Sequence, residues 1–265
     1  MSKGFVILAE NTEKTDYVKC AEVLARSIYK TMPNAKVSII TNSPTHRGLF
    51  DKVINLPYGD LATTSDWKLI NDFQVYEASP YDHTIKLEAD MFLPRSIDHW
   101  WDVLKPRDIV VCTTIRNFKQ DISNERHYRK FIDDNSLPDC YNAITYFKKS
   151  KKAEEFFSLV KDIFFSWDTF RDTLRCNKNE PATTDWVYAL ASHIMSPEVT
   201  TMPEFKEMSM VHMKQFINRA SSEDWTAGFI YELRPEVFRI NTIPQQYPVH
   251  YHVKNFANKL ETVYG

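Results

Sequence analysis

A continuous apolar run, Phe5-Val6-Ile7-Leu8-Ala9, stands near the start of the chain, and a polar loop over residues 10–16 separates it from a helical stretch at 17–31. Short apolar runs bounded by turn residues read as buried strands. In the helical stretch Val18, Ala21, Leu24, Ala25 and Ile28 fall on one face. Pro33-Asn34 closes it, and strands are predicted over 36–41, 52–56 and 81–87, with a helix over 66–78 between the last two. A short helix over 98–104, strands over 109–113 and 142–147, and helices over 151–165 and 183–194 continue the pattern. This alternation predicts an α/β fold with a parallel central sheet covered by helices. Beyond residue 196 the rhythm becomes irregular, with Pro197, Pro203, Pro235, Pro244 and Pro248. No internal repeat and no clear linker interrupt the chain, so a single domain over 1–265 is expected.

The fourth run, Thr84-Ile85-Lys86-Leu87, ends in Glu88-Ala89-Asp90. Residues i and i+2 of a strand share a face, so one cation can reach both acids. Carboxylate oxygens suit hard cations such as Mg²⁺ and Mn²⁺, which often hold substrate phosphates on their remaining positions. Open α/β sheets bind ligands at the carboxyl ends of their strands. The ordinary alternative is a solvated Glu and Asp in a strand-end turn.

Composition narrows the field. Of the 265 residues, 43% are hydrophobic and 26% charged, as in soluble globular proteins. Only 5 are glycine and 14% are aromatic, which argues against low-complexity disorder. A net charge of −2 gives no global positive field for nucleic acid, so such contacts would need a local basic patch. Cys20, Cys112, Cys140 and Cys176 are too far apart in sequence for a zinc knuckle or a redox pair. The first apolar run is too short for a signal peptide and no stretch is long enough to span a membrane, so a cytoplasmic location is expected.

Ordered pieces of the chain resemble the glycogenin-like family of GT-A glycosyltransferases, retaining enzymes that use nucleotide-diphosphate sugars. Phe5 to Asn11, Tyr17 and the 21–28 helix are similar to the family's first strand, nucleotide-contacting loop and first helix. Trp67-Lys68-Leu69, followed later by Tyr81, is similar to the segment whose lysine lies near the donor diphosphate. Lys86-Leu87-Glu88-Ala89-Asp90 resembles the Asp-x-Asp metal motif. Tyr141-Asn142-Ala143 resembles the Asn-[Ser/Ala]-Gly segment near the sugar, and Thr183-Thr184-Asp185-Trp186 the acidic Gly-Asp-Gln segment. Val249-His250-Tyr251 resembles the Val-His-Phe whose histidine completes the metal shell. The chain departs from the family in four places: Glu88 replaces the first Asp, glycine is missing after Asn142-Ala143, Asp185 is followed by Trp186 instead of Gln, and the C-terminal Gly-x-x-Lys-Pro-Trp pattern is absent.

The resemblance implies a GT-A, Rossmann-like fold with a mostly parallel sheet flanked by helices. Residues 1–115 would form the nucleotide-sugar and metal-binding part, and 116–265 the acceptor part with a C-terminal segment completing the metal site. It implies Mn²⁺ or Mg²⁺ held by Glu88 and Asp90 with His250 or His252, with His212 as a third candidate histidine. A UDP-sugar would meet Ala9, Asn11, Tyr17, Lys68 and Lys254. Asp185, Asn142 and Lys68 are the candidate catalytic residues. Asp185 has an ordinary role open to it, in the first turn of a helix capped by a threonine.

The chain also resembles glycosyltransferases of tailed bacteriophages that modify hydroxymethylcytosine with glucose or arabinose, which makes duplex DNA the expected acceptor. Three basic and aromatic stretches, 116–119, 126–130 and 148–152, are the candidate DNA contacts. The alternatives are a glycan, lipid-linked or small polyol acceptor, and an inactive nucleotide-sugar-binding protein. A nucleotidyltransferase would show a glycine-rich phosphate loop after the first strand, and residues 9–16 contain no glycine.

Overall fold

The computed structural model describes residues 1–127, 129–177 and 179–265. The first apolar run forms β1 (Lys3–Leu8), and β2 (Val37–Ile40), β3 (Lys52–Ile54) and β4 (His83–Glu88) lie parallel to it. The short β5 (Met91–Phe92) follows, then β6 (Ile109–Cys112), β7 (Thr114–Arg116) and β8 (Tyr141–Lys148). The main sheet has six strands in the order β3-β2-β1-β4-β8-β6.

The strand predicted over 142–147 breaks the parallel expectation. It is longer, and β8 runs antiparallel to both β4 and β6. A strand buried on both faces reads as the same apolar run in either direction. Its direction is set by the connection that feeds it, and the local pattern does not encode that.

Alternation along the strands splits the core in two. Phe5, Ile7, Ile39, Ile85 and Leu87 face one layer, and Val6, Ile40, Val111 and Phe147 the other. Each such side chain, fully buried, contributes roughly 1.5–3 kcal/mol. Helix α1 (Tyr17–Thr31) covers the first layer, with Asp16 accepting from the Lys19 amide at 2.9 Å as its N-cap. Helices α2 (Lys151–Phe165) and α3 (Thr184–Ile194) cover the second, capped by Ser150 and Thr183. Gly4 sits where β1 passes the Tyr81 ring: a Cβ there would stand 2.4 Å from a ring carbon.

The helix predicted over 66–78 is a 3₁₀ turn over Leu69–Gln74 followed by one α turn over Val75–Ala78. Residues i and i+3 eclipse in a 3₁₀ turn, and Gln74 Nε2 donates to Asn71 Oδ1 at 3.1 Å. Asn71, Asp72 and Gln74 are all buried, so polar bonding shapes this segment where an apolar face would shape a helix. The helix predicted over 98–104 starts two residues later, at Trp100.

The irregular final third is also ordered. Strands β9 (Ser209–His212), β10 (Tyr231–Arg234), β11 (Val237–Ile240), β12 (Ile243–Pro244) and β13 (Val249–His250) precede helix α4 (Phe256–Tyr264). A second sheet has the order β5-β13-β9-β7. Its register decides the site: His250 pairs with Met91 on β5 and with His212 on β9. Among the described residues no helix is long and apolar enough to cross a membrane.

Candidate functional site

Glu88 is the last residue of β4, and Asp90 lies in the turn to β5. The backbone amide of Tyr251 donates to the Asp90 carbonyl at 3.1 Å, which extends the β5–β13 pairing and fixes the histidine beside the acids. His250 Nε2 stands 3.0 Å from Asp90 Oδ2 and 3.3 Å from Glu88 Oε2. The Lys254 ammonium rests on the same Asp90 oxygen. Burial pushes the Glu88 carboxyl up. Burial acts the same way on Asp90, but His250 and Lys254 outweigh it and hold that carboxyl well below the usual range.

His252 lies past the end of β13, with its backbone in the left-handed region at φ 57°. That turn stacks its ring on His250 with centroids 4.0 Å apart. His252 Nε2 is 3.3 Å from His212 Nδ1. Burial, then neighbouring imidazoles and ammonium groups, hold both His212 and His252 well below the usual histidine range. Two donor sets therefore meet at His250: Glu88–Asp90–His250 and His212–His250–His252.

These groups line one cleft of about 590 Å³, which also takes in Tyr17, Lys68, Asn142 and Asp185. That volume suits a small-molecule ligand. At one side Lys68 pairs with Asp60 at 2.6 Å, and the Asn71 amide bridges Asp60 and Glu10 at 2.7 and 2.8 Å. Burial pushes the Glu10 carboxyl up to about 7, and the Asn71 hydrogen bond only partly offsets it.

The floor is a buried polar network. Lys86 Nζ pairs with Asp72 Oδ2 at 2.9 Å and donates to the Asn142 carbonyl at 3.2 Å. Asp72 also accepts from Asn142 Nδ2 and from the Tyr188 hydroxyl, each at 3.1 Å. Asp185 accepts from the Asn142 amide at 2.9 Å and from Arg129 at 3.0 Å, while the Arg129 guanidinium lies over the Tyr141 ring. Thr183 caps α3 and Asp185 lies in its first turn, so the ordinary role read for Asp185 and its place in the cleft coexist.

Of the donor contacts expected, Tyr17, Lys68 and Lys254 line the cleft, and Ala9 and Asn11 do not. Ala9 is in the core, and Asn11 accepts from the Val18 amide at 2.9 Å, tying the loop to α1. Leu8, Glu10 and Thr12 face the cleft instead, because side chains alternate along an extended chain. Lys86, Asp72 and Tyr188 were given no site role from sequence, and Arg129 was read only as part of a DNA-contacting stretch. Lys86 left a signal, a charged residue inside an otherwise buried strand.

The arginines of the basic stretches bond within the fold, while Lys119, Lys130, Lys151 and Lys152 are exposed. Arg116 bonds Ser209 Oγ and the Gln120 carbonyl at 2.9 and 2.7 Å and stacks on Tyr247. Arg126 pairs with Asp133 and Asp139, and Arg129 with Asp139 and Asp185. Lys148 pairs with Asp108, and Lys149 donates to the Tyr76 carbonyl. Tyr128 of the middle stretch lies outside the described residues. Sequence spacing shows that charges cluster, but not that the fold supplies acids to meet them.

No protein-family model and no curated protein sequence matches the chain. Among solved structures, the galactosyltransferase LgtC in complex with donor and acceptor sugar analogs aligns over 98% of this chain and 95% of its own, with a TM-score of 0.55 at 12% identity. An active-site mutant of LgtC gives the same values, 0.55 and 12%. Mouse xyloside xylosyltransferase 1 aligns over 76% of this chain and 85% of its own with a TM-score of 0.48 at 11% identity, too distant to add to the assignment. At these identities the likeness is one of architecture: the chain has the mixed α/β fold of the GT-A glycosyltransferases.

Proposed function

We propose that this protein transfers a sugar from a nucleotide-diphosphate donor, a UDP-sugar, to an acceptor hydroxyl with retention, using a divalent cation. The observation that carries the reading is the meeting of Glu88, Asp90 and His250 in the lining of the cleft, with His250 Nε2 within 3.3 Å of both carboxylates. Two carboxylates and an imidazole suit Mn²⁺ or Mg²⁺. Glu88, Asp90 and His250 would hold the ion, whose charge would offset the negative charge that grows on the departing diphosphate.

The chain's own residues do the rest. Lys254 and Lys68 present ammonium groups to the phosphates, each now parked on a carboxylate, Asp90 and Asp60. The Asn142 amide and the Asp185 carboxylate meet sugar hydroxyls. Their orientation is fixed from behind, Asn142 by Asp72 and Asp185 by Arg129. Tyr17 lines the cleft beside Lys254, whose ammonium lies 5.5 Å from its ring centroid.

The duplex-DNA acceptor implied by the phage resemblance draws no support from Arg116, Arg126 and Arg129, which are committed to internal partners. The alternative acceptor is a hydroxyl of a glycan, a lipid-linked sugar or a small polyol. The test incubates the protein with Mn²⁺ and a panel of UDP-sugars, and offers hydroxymethylcytosine DNA, oligosaccharides and polyols as acceptors. Mass spectrometry then reads the added sugar. Metal-dependent transfer to any of them that Asp90→Asn abolishes supports the reading. Donor binding with neither transfer nor UDP release would leave an inactive sugar-nucleotide-binding protein.

A further inference from the structure

The Glu88–Asp90 site uses only one of the histidines gathered beside it. His212 and His252 are two further imidazoles whose nearest nitrogens lie 3.3 Å apart, and one nitrogen from each of His212, His250 and His252 lies within 4.8 Å of the others. We propose that these three histidines form a second cation site, for a nitrogen-preferring ion of the zinc class, which shares His250 with the Glu88–Asp90 site. The proposal rests on the reading above only through that shared residue.

Ligand chemistry separates the two sets, and the His212–His252 spacing is compatible with zinc. Tetrahedral zinc bonds of 2.0–2.1 Å put neighbouring ligand atoms about 3.3–3.4 Å apart. The His212–His252 separation of 3.3 Å matches this. Octahedral bonds of 2.0–2.1 Å put cis ligands about 2.8–3.0 Å apart. In the carboxylate set His250 stands 3.0 Å from Asp90 and 3.3 Å from Glu88, so spacing alone does not assign an ion to it. Ligand chemistry does assign one, since imidazole suits zinc and its neighbours and carboxylate suits magnesium and manganese.

Two further observations point to a ligand. His250 Nδ1 is buried and has no hydrogen-bond partner, a rarity for a buried polar atom. His252 holds a left-handed backbone, which costs a non-glycine residue energy and persists where the surroundings impose it. That conformation is what brings its ring over His250 and against His212. The parallel pairing of His250 with His212 across β13 and β9 makes the rest of the set rigid. His212, His250 and His252 all line the cleft, from which water or a ligand atom would supply a fourth ligand. Lys214 and Lys254 stand near these rings and lower the affinity relative to an isolated three-imidazole site.

Because His250 belongs to both sets, filling one site should weaken the other. Zinc would then act as an antagonist of the manganese site.

The test titrates the metal-free full chain with Zn²⁺ by calorimetry and with Co²⁺ by visible absorption, and follows Mn²⁺ separately by electron paramagnetic resonance. The expected results are an intense four-coordinate Co²⁺ spectrum and a Zn²⁺ affinity that falls about tenfold or more in His212→Ala. Mn²⁺ affinity should stay unchanged in His212→Ala, and Asp90→Asn should lose Mn²⁺ while keeping Zn²⁺. Equal Zn²⁺ affinity in wild type and His212→Ala, or only a weak six-coordinate Co²⁺ spectrum, overturns the proposal. The Co²⁺ spectrum of the wild type decides even if His212→Ala fails to fold. Absence of Mn²⁺ binding with Zn²⁺ binding intact would instead overturn the metal assignment in the proposed function.

Discussion

Lys254 places its ammonium on Asp90 Oδ2, the oxygen that also lies 3.0 Å from His250 Nε2. The free protein thus keeps a cation of its own against the carboxylate that would hold the metal. The contact raises the Lys254 pKa even though burial works against it. An incoming diphosphate gives that ammonium another anion to meet. Lys254→Met should therefore act in opposite directions on two ligands. Mn²⁺ binding to the free protein should tighten by about tenfold, or 1.4 kcal/mol, because an internal competitor is gone. The KM for the donor should rise. Paramagnetic titration and donor kinetics read the two effects, and weaker Mn²⁺ binding in the variant would remove Lys254 from the competitor role.

The Lys86–Asp72 pair is nearly sealed, with the side chains 2% and 5% exposed. Removing one partner of such a pair leaves a buried charge and costs about 3–5 kcal/mol. Lys86→Met should lower stability to urea by that order. Adding Asp72→Asn should recover most of the loss, because the uncompensated charge is then removed. A double-mutant cycle in which the two losses simply add would show that the pair is not coupled.

Tyr81 is pinned by its hydroxyl, 2.7 Å from Ser38 Oγ and 3.1 Å from Asp51 Oδ2. Its ring therefore has no easy retreat from a side chain at position 4, where a Cβ would sit 2.4 Å away. Gly4→Ala should destabilise the fold by about 1–3 kcal/mol through overpacking. Thermal unfolding measures this, and an unchanged midpoint would mean that β1 can shift without cost.

Glu10 carries a pH dependence whose sign follows from its raised carboxyl. Its pKa in the fold is about 7 against 4.5 ordinarily, chiefly because of burial. The folded state therefore holds the proton more tightly than the unfolded chain. The resulting stability is complete below pH 4.5 and is lost as pH rises through about 7. With allowance for solvent screening, the loss is about 1–2 kcal/mol. Glu10→Gln should flatten the stability profile over that window, as read by denaturation at several pH values. An equal slope in both proteins would place the titration elsewhere.

The strands near the start of the chain, the helices at 17–31, 151–165 and 184–194, and the acidic pair after β4 were legible because each follows from a local repeat. Apolar runs mark buried strands, a 3.6-residue period marks helix faces, and side chains two apart share a face. The direction of β8 was not legible, nor was the second sheet, because short proline-punctuated strands have too few residues to show a period. Lys86 was passed over and Arg129 read as a DNA contact for a related reason: a sequence displays a charge without showing the acid that the fold sets against it.

The sequence alone determined the sheet-forming runs, their alternation with helices, and the carboxylates at the end of β4. The tertiary structure alone decided which histidine faces them. His250 is 160 residues from Asp90 in sequence, and only the pairing of β13 with β5 and β9 brings it there. Periodicity is written along the chain, whereas a contact across such a separation is fixed by packing and strand register, which no short stretch encodes.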